Sequence, residues 1–181
     1  MIPPRFLLAC SFPLLLGCDP AREPAHPAAP PPHGAHPGGH DHPHHHFDNA
    51  EEWAKSFDDP ARDAWQKPDA VVAALSLSPS ARVADLGAGT GYFTVRLARA
   101  VPQGKVLAID VEPDMVRYLG ERAKKEGLAN VEPLLAPKDD PRIPPSMDLV
   151  LVCDTYHHIE NRPAYFRKVM EALAPTGRLV I

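Results

Sequence analysis

Val83-Ala84-Asp85-Leu86-Gly87-Ala88-Gly89-Thr90-Gly91-Tyr92-Phe93 decides the fold. Val83 and Ala84 lead in as a buried strand does, three glycines at alternate positions form a turn, and Tyr92 to Val101 continues in helical rhythm. Glycine opens backbone angles closed to other residues and lets a ligand lie against bare main chain. The spacing is G-x-G-x-G, which departs from the G-x-G-x-x-G of dinucleotide binders. Asp85 puts a carboxylate ahead of the loop, which suits an ammonium or another cation rather than a pyrophosphate. Lys105-Val106-Leu107-Ala108-Ile109 reads as the next strand and ends at Asp110, 19 residues past Gly91. An acidic side chain there can accept both hydroxyls of a ribose.

A ligand with a ribose, a positive end and no phosphate fits S-adenosylmethionine better than a nicotinamide dinucleotide. At this point the chain resembles the class I S-adenosylmethionine-dependent methyltransferases over roughly residues 60–181. The resemblance rests on residues 83–93, on Ile109-Asp110-Val111-Glu112-Pro113-Asp114-Met115, and on Asp148-Leu149-Val150-Leu151-Val152 followed by His157-His158. Leu173 to Ile181 is similar to that family's turn into its fifth strand. The resemblance implies an α/β fold, a doubly wound Rossmann-like sheet. It implies that Asp85, Gly87, Ala88, Gly89, Gly91, Asp110, Val111, Met115 and Asp154 surround the cofactor, with Asp85 helping to hold its amino group. The family commonly places Gly-Asp-Ala after the third strand, where this chain has Ala136-Pro137-Lys138-Asp139-Asp140; Asp139 is the substitute candidate for the adenine contact. Family members usually carry seven strands. This chain stops at Ile181 inside the fifth, so the sequence reads as a form truncated after strand 5, with an exposed apolar edge and marginal stability.

The other end reads as a targeting segment. Arg5 precedes an apolar run from Phe6 to Leu16 that, at roughly 17 Å as a helix, is too short to span a bilayer. Leu15-Leu16-Gly17-Cys18 resembles a bacterial lipoprotein box, which implies cleavage before Cys18 and lipid on its sulfur; the alternative is an ordinary signal peptide or a chance Gly-Cys. Several acyl chains on one residue would hold the protein stably on a membrane. Residues 1–17 are thus expected as leader, 18–46 as tether and 47–181 as the methyltransferase domain. The expected location is the bacterial envelope, facing the periplasm or exterior, or the cytoplasm if the leader reading is wrong. Of three cysteines only Cys153 is then left to the folded domain, so no intramolecular disulfide framework is expected, and Cys153 reads as a small buried apolar side chain.

The tether carries eight of the ten histidines among prolines, alanines and glycines, with almost nothing apolar to bury. Such a composition does not offset its ordering entropy. His40, His42, His44, His45 and His46, beside Asp41, could ligate a divalent transition metal; the alternative is a solvated spacer whose charge rises below about pH 6.5. Net charge is −4 and no basic stripe is present, which disfavours a nucleic-acid partner.

Between these ends, Asn49 to Phe57 reads as a short helix, and Ala61 to Leu75 as a helical region interrupted at Pro68. Trp53, Phe57 and Trp65 are expected in the core, with a lid over the cleft as the alternative. A helix from Met115 to Gly127, a strand from Val131 to Leu135 and a strand from Asp148 to Val152 follow. Ile159 to Leu173 reads as amphipathic, with Tyr165, Phe166, Val169, Met170 and Leu173 inward. Residues just past the fourth strand should face the reaction cleft. Methyl transfer to an alcohol or amine needs its proton removed, and a neutral imidazole from His157 or His158 can do that near pH 7; both can instead line the cleft or serve structure. The leading expectation is a methyltransferase acting on a small-molecule acceptor. Because S-adenosylmethionine is a cytosolic compound and the leader directs the domain outward, the competing expectation is a non-catalytic, membrane-tethered binding protein whose histidine tract handles metal.

Overall fold

A computed structural model describes residues 49–181. The expected leader, Cys18 and the histidine tract lie outside the described residues. The elements run α1 (Ala50–Phe57), α2 (Arg62–Gln66), α3 (Pro68–Ala74), β1 (Arg82–Leu86), α4 (Thr94–Ala100), β2 (Lys105–Asp110), α5 (Pro113–Lys125), β3 (Val131–Leu135), β4 (Met147–Leu151), α6 (Arg162–Ala172) and β5 (Leu173–Val180).

All four strand pairings are parallel and the spatial order is β3-β2-β1-β4-β5. The chain winds outward from β1 to β3, then returns to β4 beside β1 and winds the other way. This is the doubly wound α/β arrangement expected from the sequence. The reversal leaves a crevice beyond the carboxyl ends of β1 and β4, which is where such sheets bind ligands.

The central strands β1 and β2 are buried on both faces past their first residue, which is why they read as unbroken apolar runs. Alternation sorts their side chains. Val83, Val106, Leu149 and Leu151 meet Leu97 and Val101 from the α4 side. Ala84, Leu86, Leu107, Ile109 and Val150 meet Tyr165 and Val169 of α6 on the other. Prolines at the starts of α3, α5 and α6 occupy positions where a missing N–H costs nothing. Asn49 and Asn161 cap α1 and α6 by accepting from Glu52 and Ala164 backbone amides.

Three details differ from the sequence reading. Met170 was expected inward but is 55% exposed, because one step past Val169 turns about 100° round the helix and away from the sheet. Strand β5 starts directly at Leu173, without a connecting loop, and its register against β4 shifts between Met147 and Leu149. Gly177 lies in that shift, where a Cβ would sit 2.4 Å from the Met147 carbonyl oxygen. The aromatic residues of α1 and α2 are not core: Trp53 and Phe57 are half-buried and stack at 5.4 Å, and Trp65 is 44% exposed. Among the described residues no helix is long and apolar enough to cross a membrane.

Candidate active site

Residues 87–91 join β1 to α4 at the mouth of the crevice. The amides of Gly87 and Ala88 both donate to the Ile109 carbonyl at 2.9 Å, and the Gly89 amide donates to Asp110 Oδ2 at 2.8 Å. The loop's donors are therefore spent on β2 and none of these three is left to cradle a phosphate. Gly87 has a left-handed φ of 74°, and a Cβ there would lie 2.1 Å from Thr155 Oγ1. The residue must be glycine for both reasons. Gly91 is enclosed against Leu119 of α5.

Asp110 is buried at the end of β2. Its second oxygen accepts from the Glu112 amide at 3.0 Å, so each carboxylate oxygen holds one backbone donor and keeps lone-pair capacity for another. Burial raises its pKa, while the Glu112, Gly89 and Val111 amides and the charge of His158 oppose that rise. Asp85 is only 3% exposed and accepts from Thr94 Oγ1 at 2.6 Å. Burial lifts its pKa to about 6 against the pull of that hydroxyl, and the Asp110 charge adds to the rise. The two carboxylates thus differ in placement: Asp110 reaches the lip of the loop, whereas Asp85 lies beneath it. Val111 is exposed beside Asp110, and Met115 is fully enclosed behind the loop.

The chain after β4 forms the opposite wall. Cys153 is half-buried, accepts from Gln66 Nε2 at 3.5 Å, and burial and the Asp154 charge push its thiol up to about 11, which leaves it no thiolate near neutral pH. Asp154 has φ 56° and pairs with Arg62 at 3.0 Å. Thr155 covers Gly87 and donates to its carbonyl at 3.3 Å. His157 and His158 follow on an exposed 3-10 turn with ring centroids 4.0 Å apart. Asp139 is exposed after β3, with its carbonyl accepting from Lys168 Nζ.

Residues missed by sequence reasoning close the site from above. Arg122 of α5 donates to both oxygens of Asp58 at 2.9 Å and to the Thr90 carbonyl of the loop at 2.9 Å. Arg117 pairs with Glu51, and Asp114 accepts from the Ala50 amide at 2.7 Å. Tyr92 donates to Asp63 at 2.5 Å, and its ring centre lies 4.1 Å from the guanidinium of Arg62 and 4.4 Å from that of Arg96. The Phe57 ring then sits 3.5 Å from the Cβ position of Gly89. The lid alternative thus describes Phe57 better than the core reading. Nothing local in the sequence signals these pairs, whose partners stand about 30 to 90 residues apart. Among the described residues no group of three or more His, Cys, Asp or Glu is placed to hold a metal ion.

A family profile described as a methyltransferase domain matches residues 83–177, more than half of the chain. The chain belongs to that family. Within it, trans-aconitate 2-methyltransferase of Rhodopseudomonas palustris (strain BisB18) is 30% identical over 138 residues, covering 74% of this chain and 48% of that protein. (S)-coclaurine N-methyltransferase of Thalictrum flavum subsp. glaucum is 31% identical over 99 residues, 55% of this chain and 27% of that one. The chain thus spans less than half the length of either relative. Among solved structures, an S-adenosylmethionine-dependent methyltransferase from Aquifex aeolicus superposes with a TM-score of 0.67 at 30% identity, covering 71% of this chain and 70% of its own. A coclaurine N-methyltransferase bound to N-methylheliamine and S-adenosylhomocysteine superposes at 0.59 with 25% identity, over 64% of this chain and 34% of that one. The matched span of this methyltransferase domain holds β1 from Val83 on, the glycine loop, Asp110, β4 and both histidines, so the family match and the geometry fall on the same residues.

Proposed function

We propose that this chain is an S-adenosylmethionine-dependent methyltransferase acting on a small-molecule acceptor. The observation that carries the reading is the glycine loop with its amides turned inward onto β2 and a carboxylate, Asp110, at its lip. That surface suits a nucleoside without phosphate, and Asp110 retains capacity for two hydroxyl donors. When bound, the cofactor supplies an electrophilic methyl group on a sulfonium. This chain's residues bind and orient around it. Asp110 accepts from the ribose, Val111 lines the adenosine side, and Asp139 is the candidate for the adenine amino group. Asp85 sets the negative potential beneath the loop toward the ammonium end. Phe57 covers Gly89 and excludes water. His157 or His158 takes the proton of an alcohol or amine acceptor, a carboxylate acceptor needs no base, and positioning supplies the remainder of the rate. Trans-aconitate, the substrate named for one relative, is the first acid to try as acceptor.

The test is calorimetric titration of the protein with S-adenosylhomocysteine, beside Asp110→Asn, with circular dichroism to show both are folded. Losing charge-assisted hydrogen bonds should weaken binding by roughly 10- to 100-fold. A folded wild-type protein that does not bind would sink the proposal.

For the amino-terminal segment we propose a leader ending at Gly17 and a lipid anchor on Cys18 that tethers the domain to the bacterial envelope. Support comes from the Leu15-Leu16-Gly17-Cys18 pattern alone. Labelling with radioactive palmitate that disappears in Cys18→Ser is the expected result. The metal reading of His40 to His46 is checked by zinc titration with the five histidines replaced by alanine; unchanged binding would end it.

A further inference from the structure

One nitrogen atom of α5 joins the residue after Phe57 to the residue after Gly89. Arg122 Nη1 donates to both oxygens of Asp58 and to the Thr90 carbonyl, each at 2.9 Å, while Nε holds Glu126 Oε1 at 2.9 Å. The base of this side chain is fixed. Leu119, one helical turn earlier on α5, is buried and packed so closely on Gly91 that a Cβ there would meet its Cδ2 at 2.8 Å. The guanidinium is thus anchored on the glycine-loop side, and Asp58 comes to it from the end of α1.

The segment that brings Asp58 has little apolar grip on the domain. Ala50 is the only buried residue of α1, and α2 has none. Ion pairs tie the segment down instead. In Glu51–Arg117, Asp63–Arg96 and Arg62–Asp154 the acid is about half exposed or more, and such pairs contribute little. Asp58 and Arg122 are each 21% exposed, so parting them strands two charges already largely removed from water. Elements with few buried apolar contacts open at low cost, and here one ion pair supplies most of the resistance. While it is closed, the Phe57 ring stands 3.5 Å from the Cβ position of Gly89, over the bare main chain where a ligand would lie.

We propose that Arg122 is a positioning residue for methyl transfer, acting through Phe57 and Thr90: its ion pair with Asp58 latches a lid, residues 50–66, that lifts to admit and release the ligand. Arg122 itself touches neither cofactor nor acceptor. The inference rests on the proposed methyltransferase reading for what passes the lid. Opening separates two charges and hands them to solvent, where salt screens them, so release should quicken with ionic strength as long as the latch is intact.

Both tryptophans of the chain lie on this segment, Trp53 on α1 and Trp65 on α2, so intrinsic fluorescence follows it. The experiment is stopped-flow fluorescence of S-adenosylhomocysteine binding and of its release on dilution, after circular dichroism of each protein. The proteins are the full chain, Arg122→Gln, Arg122→Lys, Asp58→Asn and, as control, Arg99→Gln, whose exposed guanidinium also pairs with Glu126. Arg122→Gln and Asp58→Asn should speed release about tenfold and flatten its rise between about 50 and 500 mM salt. Association should quicken as well, so affinity changes less than the release rate; a residue serving stability alone would move melting and leave the salt dependence as it was. Arg122→Lys keeps the charge without the planar fork and should fall between, and Arg99→Gln should match wild type. Equal release rates and salt dependence in wild type and Asp58→Asn overturn the proposal, even should Arg122→Gln fail to fold. If wild type binds no S-adenosylhomocysteine, the methyltransferase reading fails separately. Acrylamide quenching of the tryptophans and amide exchange over residues 50–58 in the ligand-free proteins then decide the latch: both should rise in Asp58→Asn, and no change in either overturns it.

Discussion

Asp85→Asn should make the unliganded protein more stable at neutral pH, by an amount set by pH. In the fold the Asp85 carboxyl keeps its proton up to about pH 6, while in the unfolded chain it loses it near 3.8. Folding therefore takes up a proton between those values, and wild-type stability falls as pH rises through that window. A displacement of about two pKa units corresponds to ~3 kcal/mol of stability, fully present below the unfolded value and lost by pH 7, most of it between pH 4 and pH 7. Asparagine cannot ionise, and its carbonyl oxygen can still accept from Thr94. Its amide donors need partners of their own, an offset of about 1–2 kcal/mol that does not vary with pH. The pH dependence is thus the readout. Urea melts of both proteins from pH 4 to 7.5 should show the variant gaining on wild type by roughly 2–3 kcal/mol across that range. Asp110, whose pKa burial also raises, titrates in both proteins and largely cancels in the difference. A difference between the two proteins that moves by less than about 1 kcal/mol over the range would refute the reasoning.

Gly87→Ala should cost about 2–4 kcal/mol in a urea melt, since it combines a left-handed backbone with a clash on Thr155; Thr155→Gly should restore part of it, and Thr155→Ser should not, because Oγ1 is the nearest atom. Asp58→Ala removes the carboxylate that Arg122 Nη1 holds, leaving Glu126 on Nε, and should cost about 1–2 kcal/mol, with amide exchange over residues 50–66 faster than in wild type. Of the two histidines, His158 influences Asp110 electrostatically. His158→Ala, which removes a charge that favours the Asp110 carboxylate, should weaken S-adenosylhomocysteine binding more than His157→Ala does, measured by calorimetric titration.

The sheet was legible because its central strands are buried on both faces, which leaves continuous apolar runs such as Val106 to Ile109, and because glycine and acid mark where β1 and β2 end. The third strand was placed at residues 131–135 and the structure puts it there. What the sequence hid is what depends on distant partners. Thr155 against Gly87, Arg122 between Asp58 and Thr90, and Arg62 on Asp154 join segments with no shared periodicity. Met170 was misplaced because an amphipathic pattern marks a face only to within about one residue, and the neighbour of a buried position can be fully outside. Asp85 was legible as an acid in the right place, but whether its carboxylate faced a ligand or the protein interior depended on Thr94.

That last distinction bears on how such a site holds its ligand. Asp85 and Asp110 lie close enough for the charge of one to raise the pKa of the other, and burial raises both. At the guanidinium of Arg62 the balance is reversed, with Nε buried and unmet among the described residues. An unliganded domain built this way carries uncompensated negative charge beneath the loop and an incompletely used positive charge beside it. A ligand with a cationic amine, a carboxylate and two vicinal hydroxyls relieves all three at once, whereas removing any one group relieves only part. The stabilisation on binding should therefore exceed what contact area alone supplies, and it should grow as pH rises through Asp85's transition near 6, where the carboxylate becomes charged. Thermal shifts with S-adenosylhomocysteine at pH 5 and pH 7.5 read this directly. A larger shift at pH 7.5 in wild type, with a clearly weaker pH dependence in Asp85→Asn, where Asp110 still titrates, is the expected pattern; the same pH dependence in both would place the charge that the ligand meets somewhere other than Asp85.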